Sequence, residues 1–362
     1  MNFFPASIGL DISDSSLKAV ALKKEGPETF TLVGFGREYL KENAIEDGEI
    51  KNAESFLLAL NSLFKNQRGN FPKGKYLVVS LPEEKVFLRI LELPGALKKE
   101  ELNEALKYEL EANIPMSLDE VYYDYEILPG SPDSPHQDIM VNAVPKRIVD
   151  SYVNFFGQNG YQILALESES FSVLRSLFTA RANIKETILV LDIGAARTRF
   201  MIVAEGILHF TSSNVLAGDK FSQLLSERFP LNLKEAEFMK RMVGLDKNQE
   251  KGRELLESLR PALAQLKEQI QNYLNFFETH PDSHKLHDSA QKISKIILIG
   301  GGAALWGLTD WLSSELGLAV ILGNPIKGLK AAPGLKLKMS LEDSLSYTSA
   351  IGLALRPGQE FS

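Results

Sequence analysis

A strand that carries an aspartate into a tight polar turn and comes straight back is a demanding element, and this chain has it twice. Ser7-Ile8-Gly9-Leu10-Asp11-Ile12 leads into Ser13-Asp14-Ser15-Ser16, and Leu17-Lys18-Ala19-Val20-Ala21-Leu22 returns. The pattern recurs at Thr187-Ile188-Leu189-Val190-Leu191-Asp192-Ile193, with the turn Gly194-Ala195-Ala196-Arg197 and the strand Thr198-Arg199-Phe200-Met201-Ile202-Val203. Asp192 stands 181 positions after Asp11. Apolar runs bounded by turn residues read as strands, and recurrence of one supersecondary unit is what a duplicated domain leaves behind. Two similar lobes are implied, each opening on a hairpin with an aspartate at its mouth. A chain of 362 residues has the length for them.

Between the hairpins, residues 31–35 and 76–81 read as strands around a helix at 53–65, and Pro82 ends the second strand. Residues 85–93 read as a strand and 98–113 as a charged helix with Leu102, Ala105, Leu106, Leu110 and Ile114 at helical spacing, stopped by Pro115. Strands at 122–128 and 138–144 flank a loop at 129–135 too polar to pack. A helix at 147–159 and a strand at 161–166 complete a strand-helix-strand-strand-helix-strand unit inserted in the first lobe. In the second half, 219–229, 233–243 and 250–278 read as helices, the last with Leu255, Leu259, Leu263, Leu266, Ile270, Tyr273, Leu274 and Phe277 on one broad core-facing side. A buried strand at 295–299, a glycine turn, a helix at 306–316 and a strand at 319–322 follow. The final helix, 344–355, is expected to end before Arg356-Pro357-Gly358.

Composition removes several functions. Cysteine is absent, which excludes disulfides, thiol nucleophiles and thiolate metal sites. A net charge of -7 works against nucleic acid as a partner. No apolar run reaches the roughly 18 residues of a spanning helix, so no direct membrane insertion is expected, and residues 1–10 lack the features of a secretory signal. Cytoplasmic residence is the expectation. Neither a Gly-x-Ser-x-Gly elbow nor a His-Glu-x-x-His pair occurs. His280, His284 and His287 with Asp282 and Asp288 have metal-ligand chemistry, but their polar, irregular setting reads as a connecting loop.

The two hairpins, followed by Ile297-Leu298-Ile299-Gly300-Gly301-Gly302-Ala303, resemble in kind and order the phosphate 1, phosphate 2 and adenosine motifs of the actin, sugar-kinase and heat-shock-70 superfamily. Within it, three stretches resemble the PilM family of actin-like type IV pilus assembly proteins. They are Val86-Phe87-Leu88-Arg89-Ile90-Leu91-Glu92-Leu93-Pro94, the segment from Glu101 through Asn113-Ile114-Pro115, and Ala350-Ile351-Gly352-Leu353-Ala354-Leu355-Arg356. The likeness spans nearly the whole chain. It implies an α/β, two-lobed, actin-like ATPase fold of the ribonuclease H-like kind, with a small α+β module inserted as in FtsA. The implied divisions are the first lobe at 1–84, the module at 85–166, the second-lobe sheet at 167–215 and 293–340, a helical subdomain at 216–292, and a C-terminal helix at 341–362 returning to the first lobe.

The resemblance also implies ATP and Mg2+ as cofactors. Asp11 and Asp192 would hold the metal through its waters, and the hairpin turns would offer backbone N–H groups to phosphate oxygens. Ser13, Ser15, Ser16 and Lys18 would serve the phosphates from the first hairpin, Gly194 and Thr198 from the second, with Gly218 after it. Gly301, Gly302 and Gly307 would admit base and ribose, and Glu237 and Lys240, three apart on one helical face, would contact the adenosine. Lys18 also reads, taken alone, as an exposed strand residue. No catalytic residue is assigned; Glu167 and Glu169 are candidates by location. Two departures stand out. Ser13 occupies a position where actin-type hairpins carry glycine, which narrows the phosphate space or strains the backbone. Arg197 and Arg199 either turn inward toward phosphate or form surface ion pairs.

The implied partner is a PilN-like bitopic membrane protein, whose cytoplasmic N-terminal peptide would bind between the first lobe and the inserted module. That contact would hold the chain peripherally at the inner membrane. Self-association is a further expectation. Alternatives are an FtsA-like filament-forming protein, against which the weakly basic residues 356–362 count, and a nucleotide-free scaffold. A metabolite kinase is the enzyme-class alternative, and no general-base aspartate presents itself for it.

Overall fold

Two sheets, one in each half of the chain, repeat a single strand order. The computed structural model describes residues 7–26, 29–95, 97–129, 135–178, 184–246, 248–279, 292–332 and 339–359. In the first half, Ile8–Ile12, Ser16–Lys24 and Phe30–Tyr39 form an antiparallel meander. Tyr76–Leu81 then lies parallel beside the first strand and Gln162–Ser168 parallel beside that. In the second half, Thr187–Ile193, Thr198–Ala204 and Ile207–Asn214 make the meander. Ile293–Ile299 and Ala319–Leu322 add in parallel on the same side. Both read third, second, first, fourth, fifth across these five strands, and the first sheet adds Leu329–Ala331 parallel to Phe30–Tyr39, so this piece of the expected second-lobe segment 293–340 pairs with the first-lobe sheet. The duplicated hairpin is therefore the start of a duplicated sheet.

The opening strand of each sheet is buried along its whole length, as strands covered by helices on both faces must be. One face of the first sheet packs on the helices Ala53–Lys65 and Lys146–Gln158, where Phe56 meets Phe155 edge-on at 4.9 Å between ring centres. The other face carries the helix Thr348–Gln359, seated so closely that a Cβ on Gly9 would lie 2.3 Å from the Ala350 carbonyl oxygen. The second sheet packs on Glu250–Thr279, where Leu255, Leu259, Leu263, Leu266, Ile270 and Phe277 are all buried.

Phe87–Pro94, Val121–Ile127 and His136–Pro145 form a separate three-stranded sheet, with the helix Lys99–Asn113 supplying Leu102, Leu106 and Leu110 to its core. As a packing unit this module is shorter than the expected 85–166. Lys146–Gln158 buries Ile148, Tyr152, Phe155 and Phe156 in the first-lobe core, and Gln162–Ser168 belongs to the first-lobe sheet.

Other expectations need correction. The strand Ile207–Asn214 has no counterpart in the sequence reading; it is an edge strand, half-buried and rich in Ser and Thr, so its alternation is weak. The helix Glu169–Leu177 was likewise not expected. Gly307 adopts a left-handed conformation (φ 82°), so the helix expected from 306 starts at Leu308. The last helix continues through Pro357 to Gln359. Among the described residues, no helix is long and apolar enough to cross a membrane.

Candidate functional site

The strand order places the two hairpin turns at the ends of buried opening strands, facing one cleft of about 1020 Å³. Its walls are both turns, the glycine turn after Ile293–Ile299, the first turn of the helix Gly218–Arg228, and Glu237 and Lys240 from Leu233–Met242.

The two turns are built alike. Ser13 N–H donates to the Ser16 carbonyl at 3.0 Å, and Gly194 N–H to the Arg197 carbonyl at 2.9 Å. Asp11 stands opposite Lys18 across its hairpin and Asp192 opposite Arg199. Lys18 Nζ reaches Asp11 at 2.8 Å, and an Arg199 N–H reaches Asp192 at 2.7 Å. Ser13 is unstrained, since it is not among the described residues with a left-handed backbone. Its Oγ accepts from Ser16 N–H at 3.2 Å, so the side chain closes the turn. The backbone N–H groups of Asp14, Ser15, Ala195 and Ala196 have no hydrogen-bond partner among the described residues.

The cleft floor holds three carboxylates against two cations. Arg199 bridges Asp192 and Glu169, while Asp11 takes Lys18 and the Ser80 hydroxyl. Burial pushes the Glu169 carboxyl well above its usual range, against the pull of Arg199, and Asp11 and Asp192 add to the rise. Burial works against charge on Arg199, but Glu169 and Asp192 more than offset it and hold the guanidinium above its ordinary value. At the mouth, Arg197 of the second lobe reaches Asp14 and Glu84 of the first, each at 3.9 Å. Burial and neighbouring Glu84 raise the Asp14 carboxyl.

Asp11, Ser13, Ser15, Ser16, Lys18, Asp192, Gly194, Gly218, Glu237, Lys240, Gly301 and Gly302 all line the cleft. Thr198 and Gly307 do not. Thr198 is fully buried with its hydroxyl donating to the Leu216 carbonyl at 2.5 Å. Strand alternation sends its side chain to the face opposite that of Arg199, and Arg199, seven residues after Asp192, is the true counterpart of Lys18, seven after Asp11. Gly307 packs on Leu245. Lys240 is buried with its three donors on Gly218 O, Ser222 Oγ and Glu237. Burial would raise Glu237, but Lys240, with Ser222 and Arg241, holds it below its ordinary value. Glu167 is clamped by Arg175 and Arg356. Sequence reasoning passed over Gly300, whose φ of 84° and lack of a side chain let the backbone close on Asp192; a Cβ there would lie 2.3 Å from Oδ1. The histidine-rich stretch at 280–288 lies outside the described residues, among which no cluster of metal-binding side chains occurs.

A family model described as type IV pilus assembly protein PilM matches residues 9–358. The chain belongs to the PilM family. Among solved structures, a chain of the PilM-PilN type IV pilus biogenesis complex is 24% identical, with 98% of this chain and 99% of that chain covered and a TM-score of 0.80. The ethanolamine utilization protein EutJ from Carboxydothermus hydrogenoformans is 13% identical over 98% of this chain and 90% of that one, at a TM-score of 0.57. MreB 5 of Spiroplasma citri bound to AMPPNP is 13% identical over 96% and 95%, at 0.54. The fold is the two-lobed actin-like ATPase fold.

An adenine nucleotide fits these residues. The four open amides suit phosphate oxygens, and at Gly301 the nearest atom to an added Cβ is 3.9 Å away, so backbone there borders open cleft. A divalent ion held between Asp11 and Asp192 does not fit. Asp192 Oδ1 is against Gly300 and Oδ2 on Arg199. Displacing Arg199 would break its buried ion pairs with Asp192 and Glu169 together, a change that costs about 3–5 kcal/mol.

Proposed function

We propose that the chain is an adenine-nucleotide-binding scaffold of type IV pilus assembly, taking ATP in the cleft with slow or absent hydrolysis. The observation that carries this reading is the pair of equivalent turns, whose residues Asp14, Ser15, Ala195 and Ala196, with amides unpaired among the described residues, line one cavity beside the glycine turn. Those amides would hold the phosphates, Lys18 would turn from Asp11 to a phosphate oxygen as a point charge, and Gly301 would border the sugar and base. Slow or absent turnover follows from the carboxylates. Glu167 is held by two arginines and Glu169 by Arg199, which leaves neither placed to orient a water.

The partner we infer is a PilN-like bitopic membrane protein, engaged through its cytoplasmic N-terminal peptide between the first lobe and the three-stranded module. The full-length likeness to a chain of a PilM-PilN complex supports this. Such a contact would place the protein peripherally at the inner membrane. Nucleotide that draws the lobes together would shift the population of the peptide-binding form.

Gly301→Leu tests the nucleotide reading. An added Cβ there has only Ser346 near it, at 3.9 Å, and Gly301 lines the cleft, so calorimetric titration should show ATP affinity reduced at least tenfold while thermal stability is unchanged. Wild-type affinity in the variant would refute ATP in this cavity.

A further inference from the structure

The cleft floor is neutralised from within, and this bears on what the nucleotide brings with it. Arg199 donates to Asp192 at 2.7 Å and is ion-paired with Glu169, so one planar cation stands between both carboxyl groups. Asp192 is closed on its other side by the backbone of Gly300, where even a methyl group would come within 2.3 Å of Oδ1. Asp192 thus spends one oxygen on the guanidinium and has the other beside the Gly300 backbone, with 8% of its side chain exposed. The register partner in the first hairpin repeats the arrangement, with Lys18 on Asp11 at 2.8 Å.

A triphosphate in a partly buried cleft needs positive charge close to it. Where the floor is a pair of bare carboxylates, a divalent ion must supply that charge. Here the guanidinium already stands at that position, always protonated and with five N–H donors, more than its two carboxylate contacts consume.

We propose that this cleft binds its nucleotide as the free polyphosphate, without a divalent cation, with Arg199 as the fixed counter-charge. The inference rests on the nucleotide reading above. Lys18 gives a second cation of the same kind. Arg197, whose contacts with Asp14 and Glu84 are long at 3.9 Å, is a third that can be drawn to the phosphates.

The test is calorimetric titration of the full chain with ATP, once in excess EDTA and once in excess Mg2+. Dissociation constants that agree within about threefold are expected. Binding at least tenfold weaker in EDTA would overturn the proposal and leave the nucleotide reading standing. No binding under either condition would remove both. A double variant separates the role of Arg199 from its structural one: Arg199→Thr combined with Glu169→Gln removes the cation together with the acid behind it, and leaves Asp192 as the one unpaired carboxylate, lining the cleft. Its ATP binding should become Mg2+-dependent by at least tenfold, with Mn2+ detected on the protein-nucleotide complex by electron paramagnetic resonance. Metal-independent binding in this variant equal to wild type would refute the assignment to Arg199.

Discussion

The helix Thr348–Gln359 crosses the strand bearing Asp11 at Gly9 and the helix bearing Glu169 at Gly352, so it sets the height of the cleft floor. At Gly352 the approach is backbone to backbone: an added Cβ would lie 1.7 Å from the Ser172 carbonyl oxygen, against 3.4 Å for ordinary contact. Gly352→Ala must therefore part the two helices by roughly 1.5 Å, since no flexible side chain is there to move. Overpacking costs about 1–3 kcal/mol, and backbone on both sides places this case at the upper end. Alanine returns about 1 kcal/mol through helix propensity, for a net loss of roughly 2 kcal/mol. With about 2.1 cal/mol/K per residue of unfolding entropy, that loss lowers the melting temperature by roughly 2–3 °C in a chain of this length. Gly157→Ala is the control: it lies in the helix Lys146–Gln158 with nothing within 4 Å of the added carbon. There only propensity acts, and stability should rise by about 1 kcal/mol. Thermal melts of the two variants followed by circular dichroism should move in opposite directions. Equal melting temperatures would show that the close helix crossing does not exist as described.

Three further outcomes are expected. Because burial holds Glu169 above its ordinary 4.5, the folded chain keeps a proton that the unfolded chain sheds near that value. Stability should thus fall as pH rises from about 4.5 through the folded value, and Glu169→Gln should flatten that slope in urea titrations across pH. Thr198→Val leaves the Leu216 carbonyl without its donor and should cost about 1 kcal/mol by chemical denaturation, with ATP affinity unchanged. A large affinity loss would return Thr198 to the site. Glu167→Ala strands Arg175, which is as buried as its partner, and should destabilise by about 3–5 kcal/mol; a change under 1 kcal/mol in the same assay would contradict the clamp.

Much of the architecture was legible because its strongest signals are local. The buried strands around Asp11 and Asp192 are continuous apolar runs ended by turn residues, and the long helix Glu250–Thr279 shows its core face at helical spacing. Ile207–Asn214 was not legible, since an edge strand that runs from Ile-Leu-His-Phe into Thr-Ser-Ser-Asn has no apolar alternation. Lys146–Gln158 was read as a helix but given to the wrong unit; which core Tyr152 and Phe156 enter is decided by tertiary packing, not by periodicity. In the site, Asp11, Asp192 and the glycine turn could be found from the repeat. Equal spacing from each aspartate falls on Lys18 and Arg199, so the same repeat marks Arg199, which lines the cleft, rather than Thr198, which does not, as the counterpart of Lys18. Ion pairing between distant segments, such as Arg199 with Glu169 or Glu167 with Arg356, leaves no mark in a single sequence.

The central claim is that both hairpin turns hold one nucleotide. Residue-resolved amide hydrogen exchange, with and without ATP, measures it at the groups concerned. Asp14, Ser15, Ala195 and Ala196 carry amides with no hydrogen-bond partner among the described residues and should become protected together when ATP binds. Binding that leaves either turn exchanging at its original rate would contradict a site shared between the two lobes.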